Sequence, residues 1–251
     1  MGKPGKDPKD SPSYRPVTLF SVYRKTLSTV IIGRIDEQLE RALAGTQYAY
    51  RKNRSTEDVA IAHKYLLAAA KRNSLEIISI GIDMSKAFDT VNRQKLITIL
   101  KEKDFEEGDI SLIEILLNNT TLRIKRGKEI GNPFKTTIGV PQGDGLSPKL
   151  FTLYLNEALN EINAKIDQLN REDHDYFGHD WRPNTYGHDY ARRPQRYVPL
   201  HIEYADDVDF LCSSKEEAPR ILRIAKTVLG TYNLMLNETK TEIIEYKRAQ
   251  I

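Results

Sequence analysis

Cysteine is nearly absent: the 251 residues contain one, Cys212. A single thiol excludes a disulfide framework and any zinc site built on cysteines. Cys212 follows an Asp-rich turn and reads as a small core residue. Long apolar runs are missing too. No stretch is long enough to span a bilayer, and no signal-peptide core follows Met1. The expectation is an intracellular protein with no membrane partner. Excess charge of one sign is also small: 38 Lys/Arg stand against 35 Asp/Glu, a formal net charge of +3. Overall basicity is therefore no argument for a nucleic-acid partner. The distribution says more. Residues 1–54 hold 11 Lys/Arg against 5 Asp/Glu, and residues 121–135 hold 5 against 1. Such patches suit phosphate contact, although a charge run is commonly just a solvated face.

What the chain does have is 39% apolar residues, enough to pack a core for one large domain or two small ones. Residues 1–13 are too polar to bury anything and are expected to be mobile. Val22, Leu27, Val30, Ile31, Ile35 and Leu39 stand near helical spacing and predict a helix over 21–43. A basic, aromatic loop over 45–56 follows. Ser55 or Thr56 caps a second helix, with Glu57 and Asp58 in its first turn and Val59, Ile61, Ala62, Tyr65, Leu66 and Ala69 on its apolar side. Residues 76–83 read as a buried strand, and 92–103 and 109–118 as helices. Residues 121–125 and 133–139 read as a strand pair around a Lys/Gly turn. Ser147-Pro148 predicts the start of a long helix, with Pro at the first helical position. Residues 215–232 read as an amphipathic helix, and 235–246 as a turn followed by a strand.

Residues 171–196 stand apart. They balance 5 Arg against 5 Asp/Glu, are dense in aromatics, show no period, and repeat Gly-His-Asp. A His/Asp metal site is one reading. A mobile insertion fits better, because the ligand spacing follows no strong pattern.

The chain is organised around His201–Cys212, which reads as strand, tight turn, strand, with Asp206-Asp207 at the tip. Two carboxylates about 4 Å apart repel by roughly 4 kcal/mol at an effective dielectric near 20. A solvated turn could screen that repulsion; a divalent cation would relieve it. The strand at 76–83 ends in a third carboxylate, Asp83. Three carboxylates delivered by a strand and a hairpin outline a two-metal site of the kind that clamps both oxygens of a phosphoryl transfer.

Here the residues meet a family. Tyr204-Ala-Asp-Asp207, with Asp83-Met-Ser-Lys-Ala-Phe-Asp89 upstream and Gly139-Val-Pro-Gln-Gly-Asp-Gly-Leu-Ser-Pro148 between, resembles a reverse transcriptase. Order and spacing are most similar to those of non-LTR (LINE-type) retrotransposons. Tyr14-Arg-Pro-Val17 and the stretch from Gln47 to Thr56 resemble the first two blocks of the fingers region. The resemblance runs from about Lys6 to about Tyr246, interrupted by 171–196.

That resemblance implies an α+β fold of fingers (14–75) and palm (76–246), with an antiparallel palm sheet and the thumb missing, as in a truncated fragment. It implies an RNA-directed DNA polymerase that takes an RNA template, a DNA primer and deoxynucleoside triphosphates. Asp83, Asp206 and Asp207 would be catalytic and, with Met84, would hold two Mg²⁺ ions, Mn²⁺ being an alternative. Phe88 would be the aromatic gate under the incoming sugar; without the family it reads as a core aromatic. Ala87, Gln142 and Gly143 would line the nucleotide pocket, the glycine allowing close approach of backbone to nucleic acid. Lys240, Arg15 and Lys25 would meet the triphosphate. Arg51, Lys52, Arg54, Gln142 and Tyr204 would touch nucleic acid. Asp89 and Asp209 do not match catalytic positions and read as hydrogen-bonding or surface groups. A non-catalytic nucleic-acid-binding module on the same fold is the competing reading. A viral RNA-directed RNA polymerase fits less well.

Overall fold

The computed structural model describes residues 17–72, 77–118, 120–172, 201–212 and 214–246. In chain order the helices and strands are α1 (Val22–Ala42), α2 (Thr56–Arg72), β1 (Ile77–Ile82), β2 (Met84–Ser85), α3 (Ala87–Thr90), α4 (Arg93–Glu102) and α5 (Glu107–Asn118). Then come the short strands β3 (Thr121–Leu122), β4 (Lys125–Arg126), β5 (Glu129–Ile130) and β6 (Phe134–Lys135), and the long helix α6 (Leu146–Glu172). The hairpin β7 (His201–Tyr204) and β8 (Asp207–Cys212), α7 (Glu217–Thr231), β9 (Met235–Leu236) and β10 (Glu242–Tyr246) complete the set. The chain divides into two interleaved units, Met1–Ala42 with Phe88–Tyr154, and Leu43–Ala87 with Leu155–Ile251. The division expected at residues 75/76 falls inside the second of these.

In the first unit α1 buries Ser28, Ile31, Ile35, Asp36 and Leu39. Ile31, Ile35 and Leu39 form one i, i+4, i+8 stripe. Val22 and Val30, expected on that face, lie off the stripe and are 77% and 54% exposed. Arg34 ties α1 to α5 through Asp109, at 2.7 Å. Asn92 caps α4, its side chain accepting from the Lys95 N–H at 3.1 Å. The strand pair expected over 121–125 and 133–139 is shorter: Thr121-Leu122 pairs with Phe134-Lys135, while Lys125-Arg126 and Glu129-Ile130 form a hairpin of their own. The α6 helix starts at Leu146, before the expected Ser147-Pro148. Asp144 decides this, because its Oδ1 accepts from the N–H groups of Leu146 (3.1 Å) and Ser147 (2.9 Å) and from the Ser147 hydroxyl (2.9 Å). Its carboxylate closes the end of the helix that the sequence assigns to Pro.

The second unit is built on a four-stranded antiparallel sheet in the order β10-β1-β8-β7. Residues 77–82 are almost continuously apolar because β1 is central and covered on both faces. One face carries Ile77, Ile202 and Leu211, packed with Ala70 and flanked by Val59, Ala62 and Leu66 of α2. Ile61 and Tyr65, expected on the apolar side of α2, are exposed. Ser55 is the α2 cap: its hydroxyl accepts from the Asp58 N–H at 3.3 Å, and Asp58 reaches back to the Ser55 N–H at 2.7 Å. Cys212 is fully buried in β8. Met84-Ser85 pairs with Met235-Leu236 in a separate two-stranded ribbon. Apart from residues 171 and 172, which end α6, the 171–196 segment lies outside the described residues.

Candidate active site

Strand register brings the carboxylates together. Ile82 of β1 lies opposite Val208 of β8, so Asp83, one residue on, leaves the sheet beside Asp207, one residue back. Tyr204 pairs with Asp207, which leaves Ala205-Asp206 as a two-residue hairpin loop. Ala205 takes a positive φ of 58°. Primed hairpin turns use positive φ because it follows the right-handed twist of the flanking strands. For a non-glycine residue that conformation costs on the order of 1 kcal/mol or more and must be imposed by its surroundings.

Asp83 is held from the far end of the unit. Its Oδ2 accepts from Lys240 Nζ at 2.6 Å and from Asn237 Nδ2 at 3.2 Å, and its carbonyl accepts from the Asn237 N–H at 2.8 Å. Lys240 ends a 3-10 turn, Glu238–Lys240, between β9 and β10. Asp207 is affected by burial and by its acidic neighbours. Its carboxyl sits above the usual carboxylate range: partial desolvation contributes most, the charges of Asp206 and then Asp83 add to it, and Lys240 opposes them. Tyr50, at a positive φ of 58° in the loop before α2, is pushed up by burial and by Asp206 and Tyr204. The spacing of the motifs carries no sign of this tyrosine.

A cavity of about 270 Å³ opens beside Asp83 and Asp207, lined also by Gly81, Asp209, Lys240 and His63. His63 of α2 stands 2.7 Å from Asp209, whose other oxygen accepts from the Ser79 hydroxyl at 2.5 Å. Asp209 therefore anchors α2 to the sheet. His63 escapes sequence reasoning because a lone histidine on a helix has no spacing to mark it.

The other expected residues divide between the units. In the second, Met84 and Ala87 are buried and Tyr204 is half-buried. Arg51 donates to the carbonyls of Ala44 (2.6 Å) and Gln47 (3.1 Å), and Arg54 to those of Gly45 (2.5 Å) and Gln47 (3.1 Å). Both guanidinium groups thus fold their own loop, and Lys52 is the exposed cation of the three. In the first unit, Phe88 is half-buried and stacked on Phe151 at 4.4 Å, and Lys25 is exposed on α1. Gln142 accepts from the Thr18 N–H at 2.8 Å. Gly143, at φ +134°, is approached by protein backbone, for a Cβ there would lie 2.1 Å from the Thr18 carbonyl oxygen. That contact accounts for the glycine without any nucleic acid. Arg93, missed in the sequence, is buried and donates to the carbonyls of Thr136, Ile138 and Gly139, which fixes the segment entering the Gly-Val-Pro-Gln-Gly stretch. Arg15 lies outside the described residues.

Residues 6–250 match the family described as reverse transcriptase (RNA-dependent DNA polymerase). The chain belongs to this family. Its relatives include "Probable RNA-directed DNA polymerase from transposon BS" of Drosophila melanogaster, 31% identical over 61% of this chain and 17% of that protein. Another is the Pol polyprotein from type-1 retrotransposable element R2 of Popillia japonica, 27% identical over 63% of this chain and 22% of that protein. The chain thus spans under a quarter of the length of these relatives. Telomerase from Candida tropicalis superposes with a TM-score of 0.56 over 90% of this chain and 34% of that one, at 16% identity. That likeness shows a common reverse-transcriptase fold, with the mixed helices and antiparallel sheet expected of it.

Reverse transcriptases generally use divalent metal ions. Asp83, Asp206 and Asp207 offer the hard oxygen donors that Mg²⁺ takes. Repulsion from Asp206 and Asp83 at Asp207 is what a cation would relieve. The donor chemistry fits, although among the described residues no three His, Cys, Asp or Glu side chains are already gathered into a metal cage. Lys240 supplies the positive charge at Asp83 instead. No helix among the described residues is long and apolar enough to cross a membrane.

Proposed function

We propose that the chain is the fingers-and-palm part of an RNA-directed DNA polymerase that extends a DNA primer on an RNA template with deoxynucleoside triphosphates. The observation that carries this reading is the β1–β8 register, which puts Asp83 beside Asp207 with Lys240 on one oxygen of Asp83. In the reaction the primer 3′-hydroxyl gives up its proton to solvent as its O3′ bonds to the α-phosphorus, the bond from that phosphorus to the oxygen bridging to the β-phosphate breaks, and pyrophosphate leaves with the electron pair. Asp83, Asp206, Asp207 and Met84 would hold two Mg²⁺, which when bound supply an acidified primer hydroxyl and a counter-charge for the leaving group.

The chain's own residues do the rest. The β7–β8 turn presents Asp206 and Asp207 from a fixed backbone, so the charge pattern is preorganised. Lys240, which pairs with Asp83, is assigned to the departing phosphates, a point charge suited to that task. Phe88, braced by Phe151, is a flat surface against which a 2′-hydroxyl would clash. Lys25, Ala87, Gln142, Gly143 and, on the sequence match alone, Arg15 are assigned to the incoming nucleotide. Lys52 and Tyr204, with Arg51 and Arg54 behind them, are assigned to template and primer.

Extension of a labelled DNA primer on an RNA template in Mg²⁺ tests the proposal, comparing wild type with Asp83→Ala and Asp206→Asn. Both variants should keep the wild-type circular dichroism and lose extension by a factor of about 10³ or more. Wild-type extension rates in either variant would overturn the assignment. RNA binding without extension by the wild type would favour a non-catalytic module.

A further inference from the structure

The loop over residues 43–55 is fastened to the carboxylate turn through a buried polar cluster that the reaction itself does not use. Glu203 and Gln47 are fully buried, and His201 is 3% exposed. Glu203 lies on β7, the strand that leads into Ala205-Asp206-Asp207, and β7 is an edge of the sheet. A buried carboxylate is tolerated only when it is paired and hydrogen-bonded. Here the Gln47 amide donates to Oε2 at 2.8 Å, and Thr46 Oγ1 (3.1 Å) and His201 Nε2 (2.9 Å) serve Oε1. The backbone joins in: the Tyr48 N–H donates to the Glu203 carbonyl and the Glu203 N–H to the Thr46 carbonyl, each at 3.1 Å. The loop thereby covers the open edge of β7.

Gln47 uses both ends of its side chain. Its amide nitrogen goes to Glu203, while its Oε1 accepts from the N–H groups of Ala49 (2.8 Å) and Ala205 (3.4 Å). Ala205 is the residue held at positive φ just before the two carboxylates. The Gln47 carbonyl in turn receives both Arg51 and Arg54. One residue therefore joins the cationic loop to the turn that presents the catalytic pair.

We propose that Gln47, oriented by Glu203, is a positioning residue that holds the Ala205-Asp206 turn in its left-handed form and couples it to the Arg51–Arg54 loop. This rests on the polymerase reading above only for its consequence, not for its geometry. The test is residue-resolved amide exchange on wild type, Gln47→Met and Glu203→Gln, with Mn²⁺ binding read by electron paramagnetic resonance. Methionine keeps the length of glutamine and removes its hydrogen bonds. In Gln47→Met the amides of Ala205 and Asp206 should exchange about tenfold faster, while those of Ile80 and Phe210 in the sheet centre hold. Mn²⁺ affinity should fall about fivefold or more, since a loosened turn no longer presents its carboxylates preorganised. Glu203→Gln keeps an acceptor for the Gln47 amide and should stay near wild type in both readouts. If Gln47→Met fails to fold around an unpaired carboxylate, the double variant Gln47→Met/Glu203→Gln removes that charge and is read in the same way. Uniform acceleration across the whole sheet, or unchanged turn amides, would overturn the proposal. Absence of Mn²⁺ binding by wild type would overturn the polymerase reading alone, because the exchange pattern decides the positioning role without metal.

Discussion

Phe88 is the residue at which a packing role and a proposed specificity role can be separated. It stacks on fully buried Phe151 yet is itself only half-buried. Phe88→Ala should therefore cost about 3 kcal/mol, the low end for a core phenylalanine, measured as a shift in urea midpoint. If the ring is also the sugar gate, surviving molecules should incorporate ribonucleotides at a raised ratio to deoxynucleotides. An unchanged ratio with lowered stability would reduce Phe88 to a core residue. At Gly143 the internal requirement is explicit: its positive φ and the approach of the Thr18 backbone demand glycine. Gly143→Ala forces a side chain into positive φ and against the Thr18 backbone, and should cost about 3 kcal/mol or more. Gly33 has nothing within 4 Å of a built Cβ and lies inside α1, so Gly33→Ala should stabilise by about 0.5–1 kcal/mol. Thermal melting of the two variants separates a required glycine from an incidental one.

At the scale of elements, the docking of α2 on the sheet is expected to depend on pH. Val59, Ala62 and Leu66 supply apolar contacts, and an ionic tie joins His63 to Asp209. The hydrogen bond to Asp209 is the largest influence on His63 and raises its pKa above the ordinary 6.5, against the opposing effect of burial. A histidine raised in the folded state contributes its full stabilisation below about 6.5. That contribution fades as pH climbs through the raised folded value. Wild type should lose stability relative to His63→Gln between pH 6 and pH 9, read as the difference in urea midpoints at the two ends. Parallel midpoints for the two proteins would show that the pair is neutral throughout.

The scale of the whole chain is where charge matters. The hairpin of β4 and β5 carries Lys125, Arg126 and Lys128, all exposed. If this patch follows a phosphate backbone, each contact adds a released counterion. Replacing all three by Ala should lower the slope of log affinity for single-stranded RNA against log salt by roughly 2. Filter-binding titrations at several salt concentrations measure that slope. An unchanged slope would return the patch to an ordinary solvated face.

Residue types and spacing were sufficient to place α1, α2, α4, α5 and α7 within a few residues. They also sufficed for the hairpin with Asp206-Asp207 at its tip and for the strand that ends at Asp83. Those features are local: helical stripes, caps and alternating strands involve neighbours a few positions apart, so the sequence records them directly. The family resemblance came from the same local motifs taken in order. Only the tertiary structure could reveal that Gln47 reaches Glu203, that His63 finds Asp209, that Arg93 holds Thr136–Gly139, and that Gly143 yields to Thr18. These ties join residues from well over a hundred positions apart down to some forty, and a lone polar side chain has no period to announce its partner. The β1–β8 register belongs to the same class. Sequence could say that each strand ends in carboxylates; only the pairing of Ile82 with Val208 determined that those ends meet.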